Sequence, residues 1–171
     1  NSTLEKLNWT SATRSACLEE VFFGISNHPR LKTLVLDVNL TRSSSQALRS
    51  CLCTNGAIDY FSLDYYTLCL RPVDNDKYST LEPVLLGLAC NRGVTHFKCG
   101  LGLISCATAW VELLQKNTSI KILTLYSRCS VGREDASAIA RGIGGNASLE
   151  TLDLSELHDA STLHGPAWQA M

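Results

Sequence analysis

The residues of this chain that could do chemistry are thiols, imidazoles and scattered carboxylates. Eight cysteines lie at positions 17, 51, 53, 69, 90, 99, 106 and 129. A thiol can act as nucleophile, disulfide partner or zinc ligand. No CxxC occurs, and no Cys/His cluster has zinc spacing. Cys51 and Cys53 are the closest pair, but residues two apart point to different faces of a helix. No histidine stands near them in sequence to act as a base. The scatter reads as reduced thiols used as small buried hydrophobes. A disulfide framework belongs to smaller, loop-rich chains. Two alternative readings rest on these sulfurs: a thiol-dependent enzyme centred on Cys51 and Cys53, and a secreted or ectodomain module with paired cysteines and glycans.

Other candidates fail on spacing. His158 and His164 bracket Asp159 in HDASTLH, but six residues apart they do not share a helical face, and further ligands are missing. DNDKYSTLE at 74–82 begins like a calcium loop. Its sixth position is Ser79 where glycine is required, and its twelfth is Leu85 where glutamate is required. CGLGL at 99–103 holds a GxG without a third glycine. GxSxG, HExxH and the P-loop pattern are absent. Aspartates and glutamates are dispersed, so no acid/base pair stands out. The expectation is a protein that is not an enzyme and uses no metal or cofactor.

Composition narrows the partners. A net charge of −1 with no basic run argues against nucleic acid or an anionic membrane. Apolar runs are broken well short of a membrane span. Charged residues make up 18%, below the roughly 25% of ordinary soluble domains. That leaves an unusually neutral surface for a free-standing domain.

The elements that must carry these residues show in a repeat. Apolar anchors recur at Leu4, Leu31, Ile58, Val94, Ile120 and Leu149, with spacings of 27, 27, 36, 26 and 29. A period near this value marks a solenoid. Positions three and five after each anchor are apolar in every unit: Leu7 and Trp9, Leu34 and Leu36, Phe61 and Leu63, Phe97 and Cys99, Leu123 and Leu125, Leu152 and Leu154. Thirteen, ten and six residues before each later anchor a second stripe appears, apolar everywhere except Ser45. Its offsets of i, i+3 and i+7 describe one face of an amphipathic helix. Each unit is therefore a short strand followed by a helix, with helices near 14–26, 43–54, 79–90, 105–116 and 134–145 and strands starting near the anchors. The long unit carries its excess around Tyr66 to Tyr78, a polar stretch with Pro72 that reads as a surface loop.

An asparagine stands three residues before an anchor at Asn1, Asn55, Asn91, Asn117 and Asn146, and four before at Asn27. This is where a helix must stop, and asparagine tolerates the left-handed conformation of a helix C-cap. The next residues make Asn1, Asn117 and Asn146 glycosylation sequons by accident of register. Asn8 and Asn39 begin two more.

These motifs resemble leucine-rich repeats of the ribonuclease-inhibitor-like class, which NOD-like receptors share. LxxLxL recurs six times, and LLQKNTSIKILTL and ASAIARGIGGNASLETLDLS are similar to that class's helix-to-strand junctions. The resemblance runs from Leu4 to about Leu157. It implies an α/β, right-handed solenoid that binds proteins on its concave face and performs no catalysis. It also implies a cytoplasmic protein of signalling, sensing or inhibition, since extracellular plant-type repeats are shorter and lack these helices. The family's Asn or Cys eight residues after the anchor is met only by Asn39; Ala12, Tyr66, Gly102, Arg128 and Leu157 depart from it.

Parallel strands stack about 4.8 Å apart and helices about 8–10 Å apart, so the array bends with strands on the concave side and helices on the convex side. Residues two, four and six after each anchor then face solvent. The expected binding surface is Tyr60, His96 and Ile122 in one row, with Val35, Lys98 and Asp153, and Asp64 and Tyr126, around it. Aromatic and apolar side chains in a solvated row mark an interaction site. The expected organisation is a single six-repeat array over residues 1–171, a fragment of a longer one, whose uncapped ends would self-associate.

Overall fold

The computed structural model describes residues 3–11, 17–64, 80–100, 106–127 and 133–157. The His158–Asp159–His164 group, Cys69, Cys129, the loop around Tyr66 to Tyr78 and Leu101–Leu103 lie outside them. So do the sequon at Asn1 and most of the acidic 74–82 stretch.

Strands and helices alternate along the chain: β1 (Lys6–Ser11), α1 (Leu18–Ile25), β2 (Thr33–Val38), α2 (Arg42–Thr54), β3 (Tyr60–Asp64), α3 (Leu81–Cys90), β4 (His96–Gly100), α4 (Ala107–Lys116), β5 (Ile122–Ser127), α5 (Arg133–Gly144) and β6 (Thr151–Leu157). The six strands form one parallel sheet in sequence order. Each helix packs on the helix before and after it.

Local sequence explains the helices. In α2 four serines oppose helix formation by about 0.5 kcal/mol each relative to alanine. Burial of Leu48 and Leu52, about 1.5–3 kcal/mol apiece, outweighs that. A capping box closes its start: Thr41 Oγ1 accepts from the Ser44 amide at 3.1 Å, and Ser44 Oγ accepts from the Thr41 amide at 2.8 Å. Ser45, the polar break in the helical stripe, is buried and satisfies itself by donating to Arg42 O at 2.9 Å. Pro83 sits in the first turn of α3, where no intrahelical N–H is lost.

The core lies between sheet and helices. Strand positions three and five after the anchors pair with one another across β1–β5. The Phe61 and Phe97 rings stack at 5.6 Å, and Phe97 meets Trp110 of α4 at 6.3 Å. Between β5 and β6 the register shifts, so that Tyr126 pairs with Glu156 and Ser155 falls out of the expected column.

The strands begin two residues after the anchors, not at them. The anchor N–H is already engaged by an asparagine side chain, as Ile58 N is by Asn55 Oδ1 at 3.2 Å and Val94 N by Asn91 Oδ1 at 2.7 Å. Pairing opens one residue later. There the carbonyl of Lys32 accepts both Asp59 N and Tyr60 N, and that of Asp59 accepts Thr95 N and His96 N.

The asparagines differ from expectation in a second way. Asn55, Asn91 and Asn117 do cap α2, α3 and α4, but all three are extended, with φ between −69° and −84°. Left-handed backbone is not why asparagine recurs. Each side-chain amide instead ties consecutive units together. Asn91 Nδ2 donates to Leu52 O at 2.6 Å and to Asn55 O at 2.9 Å. Asn117 Nδ2 donates to Leu88 O and Asn91 O, and Asn146 Nδ2 to Leu114 O and Asn117 O. The Oδ1 atoms accept two backbone amides of the turn ahead. Only a side chain with both donor and acceptor can do this, which excludes aspartate and leucine alike.

Candidate functional site

The sheet has two unlike faces. One packs on the helices. On the other, alternate side chains emerge half-buried from adjacent strands. The expected row is present in register, Thr33 beside Tyr60, Tyr60 beside His96, His96 beside Ile122 and Ile122 beside Thr151. The Tyr60 ring meets the His96 ring edge-on, with centroids 4.7 Å apart and planes at 68°. This pair places an aromatic edge and an imidazole at the middle of the sheet. Desolvation holds the His96 imidazole below its ordinary range; Asp59 opposes this and Lys98 reinforces it. His96 is thus neutral at neutral pH, able to donate and accept one hydrogen bond each. Asp59, which sequence reasoning missed, also accepts a hydrogen bond from the Thr95 hydroxyl on the neighbouring unit.

The second row is Val35, Ser62, Lys98, Thr124 and Asp153, again in register. Ser62 and Thr124 are buried under their longer neighbours, while Val35, Lys98 and Asp153 are half-buried. Hydrogen bonds from Ser155 hold the Asp153 carboxyl below its usual range, with Lys98 adding to the effect.

The third row corrects the expectation for Tyr126. Its side chain is only 7% exposed. Its outer end packs against Gly100, where an added Cβ would stand 3.2 Å from three of its atoms. The hydroxyl donates to Leu63 O at 3.2 Å, and the Lys98 ammonium sits 5.0 Å from the ring centroid. Burial, then the adjacent Asp64 carboxylate, drive the phenol above its ordinary range. The residue is a buried support for Lys98 and Asp64 and offers little surface to a partner. The glycine opposite Tyr126 was the sequence signal, visible only once the two columns are aligned.

Asp135 was missed as well. It is buried, and its Oδ1 accepts the Cys106 amide at 2.9 Å, tying the start of α5 to the start of α4.

The thiols divide as helix faces predict. Cys51 is buried and Cys53 exposed. Burial pushes the Cys51 thiol up to about 11, only partly offset by a hydrogen bond with Ser26. It is protonated at neutral pH and a poor nucleophile. Among the described residues Cys17, Cys51, Cys53, Cys90 and Cys99 carry free thiols, and no group of three or more His, Cys, Asp or Glu could hold a metal ion. No described helix is long and apolar enough to cross a membrane.

The sequons at Asn117 and Asn146 have their amide nitrogens committed to carbonyls of the preceding unit. Their serines are committed too: Ser119 Oγ donates to Asn91 O and Ser148 Oγ to Asn117 O, each at 3.3 Å. No protein-family model matches the chain, and no curated protein matches it.

Proposed function

We propose that the chain is a leucine-rich-repeat-like solenoid, curved as a horseshoe, whose open sheet face binds a protein partner without catalysis. The observation that carries this reading is the in-register row of Tyr60, His96 and Ile122, half-buried on the face that no described helix covers. Parallel sheets are ordinarily covered on both faces. A sheet that the described helices cover on one face, with aromatic and aliphatic side chains along the other, favours an interaction surface. Tyr60 supplies the kind of rigid amphipathic anchor that dominates binding energy, with Lys98, Asp64 and Asp153 as charges around it. A cytoplasmic setting suits the free thiols and the two sequons whose amides are already engaged. The raised Cys51 thiol weighs against the thiol-enzyme alternative.

The test compares capture of partners from a native extract by the unmodified protein, by Tyr60→Ala and Ile122→Ala, and by the helix-face variant Arg141→Ala. Tyr60→Ala and Ile122→Ala should lose the same partners while Arg141→Ala keeps them. The opposite pattern would place the binding surface on the helices.

A further inference from the structure

The helix-side surface holds a feature unrelated to the sheet face. Cys53 near the end of α2 and Cys90 at the end of α3 are both exposed. Cys53 Sγ approaches Gly87 O of α3 at 3.8 Å. Burial, and then the neighbouring Cys90 thiol, raise the Cys53 thiol above its ordinary range. The reason is a glycine. A Cβ at Gly87 would stand 2.9 Å from Cα and O of Arg49, so α2 and α3 come closer here than larger residues would permit. One turn beyond that contact, four residues on from Arg49 and three on from Gly87, stand Cys53 and Cys90. A disulfide needs Cα atoms within about 4.4–6.8 Å, closer than the roughly 8–10 Å usual between packed helix axes.

We propose that Cys53 and Cys90 form a redox-active dithiol that closes reversibly to a disulfide between α2 and α3, with a small-molecule disulfide such as oxidised glutathione as the oxidant. One thiolate attacks the glutathione disulfide, forming a mixed disulfide and releasing one glutathione thiolate. The second protein thiol loses its proton and attacks the protein sulfur of that mixed disulfide. The Cys53–Cys90 bond forms and the second glutathione leaves. Two electrons pass from the protein pair to the glutathione disulfide, and the two thiol protons end on the two glutathiones. The link would sit two residues before Asn55 and one before Asn91, covalently joining the junction that Asn91 Nδ2 already bridges by bonding Leu52 O and Asn55 O.

The test is peptide mapping of the whole reduced chain after titration with oxidised glutathione and trapping of remaining thiols by N-ethylmaleimide. The expected product is a Cys53–Cys90 linked peptide that disappears on adding reductant. In Cys53→Ser, Cys90 should instead accumulate as a persistent glutathione adduct. Recovery of Cys53 and Cys90 as free thiols or as separate glutathione adducts in the unmodified chain would overturn the proposal. The decisive comparison needs no variant, so a folding defect in Cys53→Ser cannot mask it.

Discussion

Replacing Asn117 by alanine deletes four hydrogen bonds to the backbone at once. Nδ2 donates to Leu88 O at 2.7 Å and Asn91 O at 3.1 Å, and Oδ1 accepts Ser119 N at 2.9 Å and Ile120 N at 2.8 Å. A net hydrogen bond is worth about 0.5–1.5 kcal/mol, and an orphaned buried partner costs more. Ser119 is half-buried and can recruit water, which Ile120 and the two carbonyls cannot easily do. The expected loss is about 2–4 kcal/mol. Asn117→Asp separates donation from acceptance. It retains the two accepted bonds but aims a negative charge at two carbonyl oxygens in a slot only 3% exposed. Aspartate should therefore be worse than alanine at neutral pH. The sign with pH follows. The folded state prefers the neutral carboxyl, so the folded pKa lies above the ordinary value of about 3.9. The folded state then binds more protons, and stability falls as pH rises through that window. Below it the protonated acid regains one donated bond. The assay is urea unfolding followed by circular dichroism for both variants near neutral pH and in mild acid. An aspartate variant as stable as the alanine variant at neutral pH, or indifferent to acid, would refute the claim that the donated bonds hold the units together. The half-buried Asn146 should show a smaller loss.

Leu123→Ala empties a fully buried position between sheet and helices and should cost about 2–5 kcal/mol in chemical denaturation; an unchanged midpoint would mean the side chain is not where the register puts it. Tyr126→Phe removes the bond to Leu63 O and should cost about 1 kcal/mol. In an ultraviolet titration, Tyr126 should ionise above the ordinary tyrosine range, and that late step should be missing from the variant. Its raised phenol means the stability contribution is complete below the ordinary tyrosine value of about 10 and is lost as pH climbs above it. A late step that survives in Tyr126→Phe would show that another tyrosine is the buried one.

Periodicity made most of the architecture legible. Strand side chains alternate and helical ones recur every 3.6 residues because of backbone geometry alone. Leu34, Phe61, Phe97 and Leu123 could therefore be aligned before any coordinates, and the sheet pairs them as aligned. The row Tyr60, His96 and Ile122 follows from the same rule. The roles of single residues were not legible in that way, because each depends on what a neighbouring unit presents. Asparagine recurs before every later strand, but the pattern does not show which atoms it bonds. Tertiary stacking brings the free carbonyls of the previous helix end within reach of its amide, and this, not backbone handedness, selects the residue. Tyr126 occupies a solvent-side position by count, yet the absent side chain of Gly100 lets its ring fall onto the sheet and out of solvent. Cys53 and Cys90 are 37 residues apart, and no sequence pattern pairs them. Only the close approach of α2 and α3 at Gly87, a distance between helices that no local period encodes, brings Cys53 against the last turn of α3 that ends in Cys90.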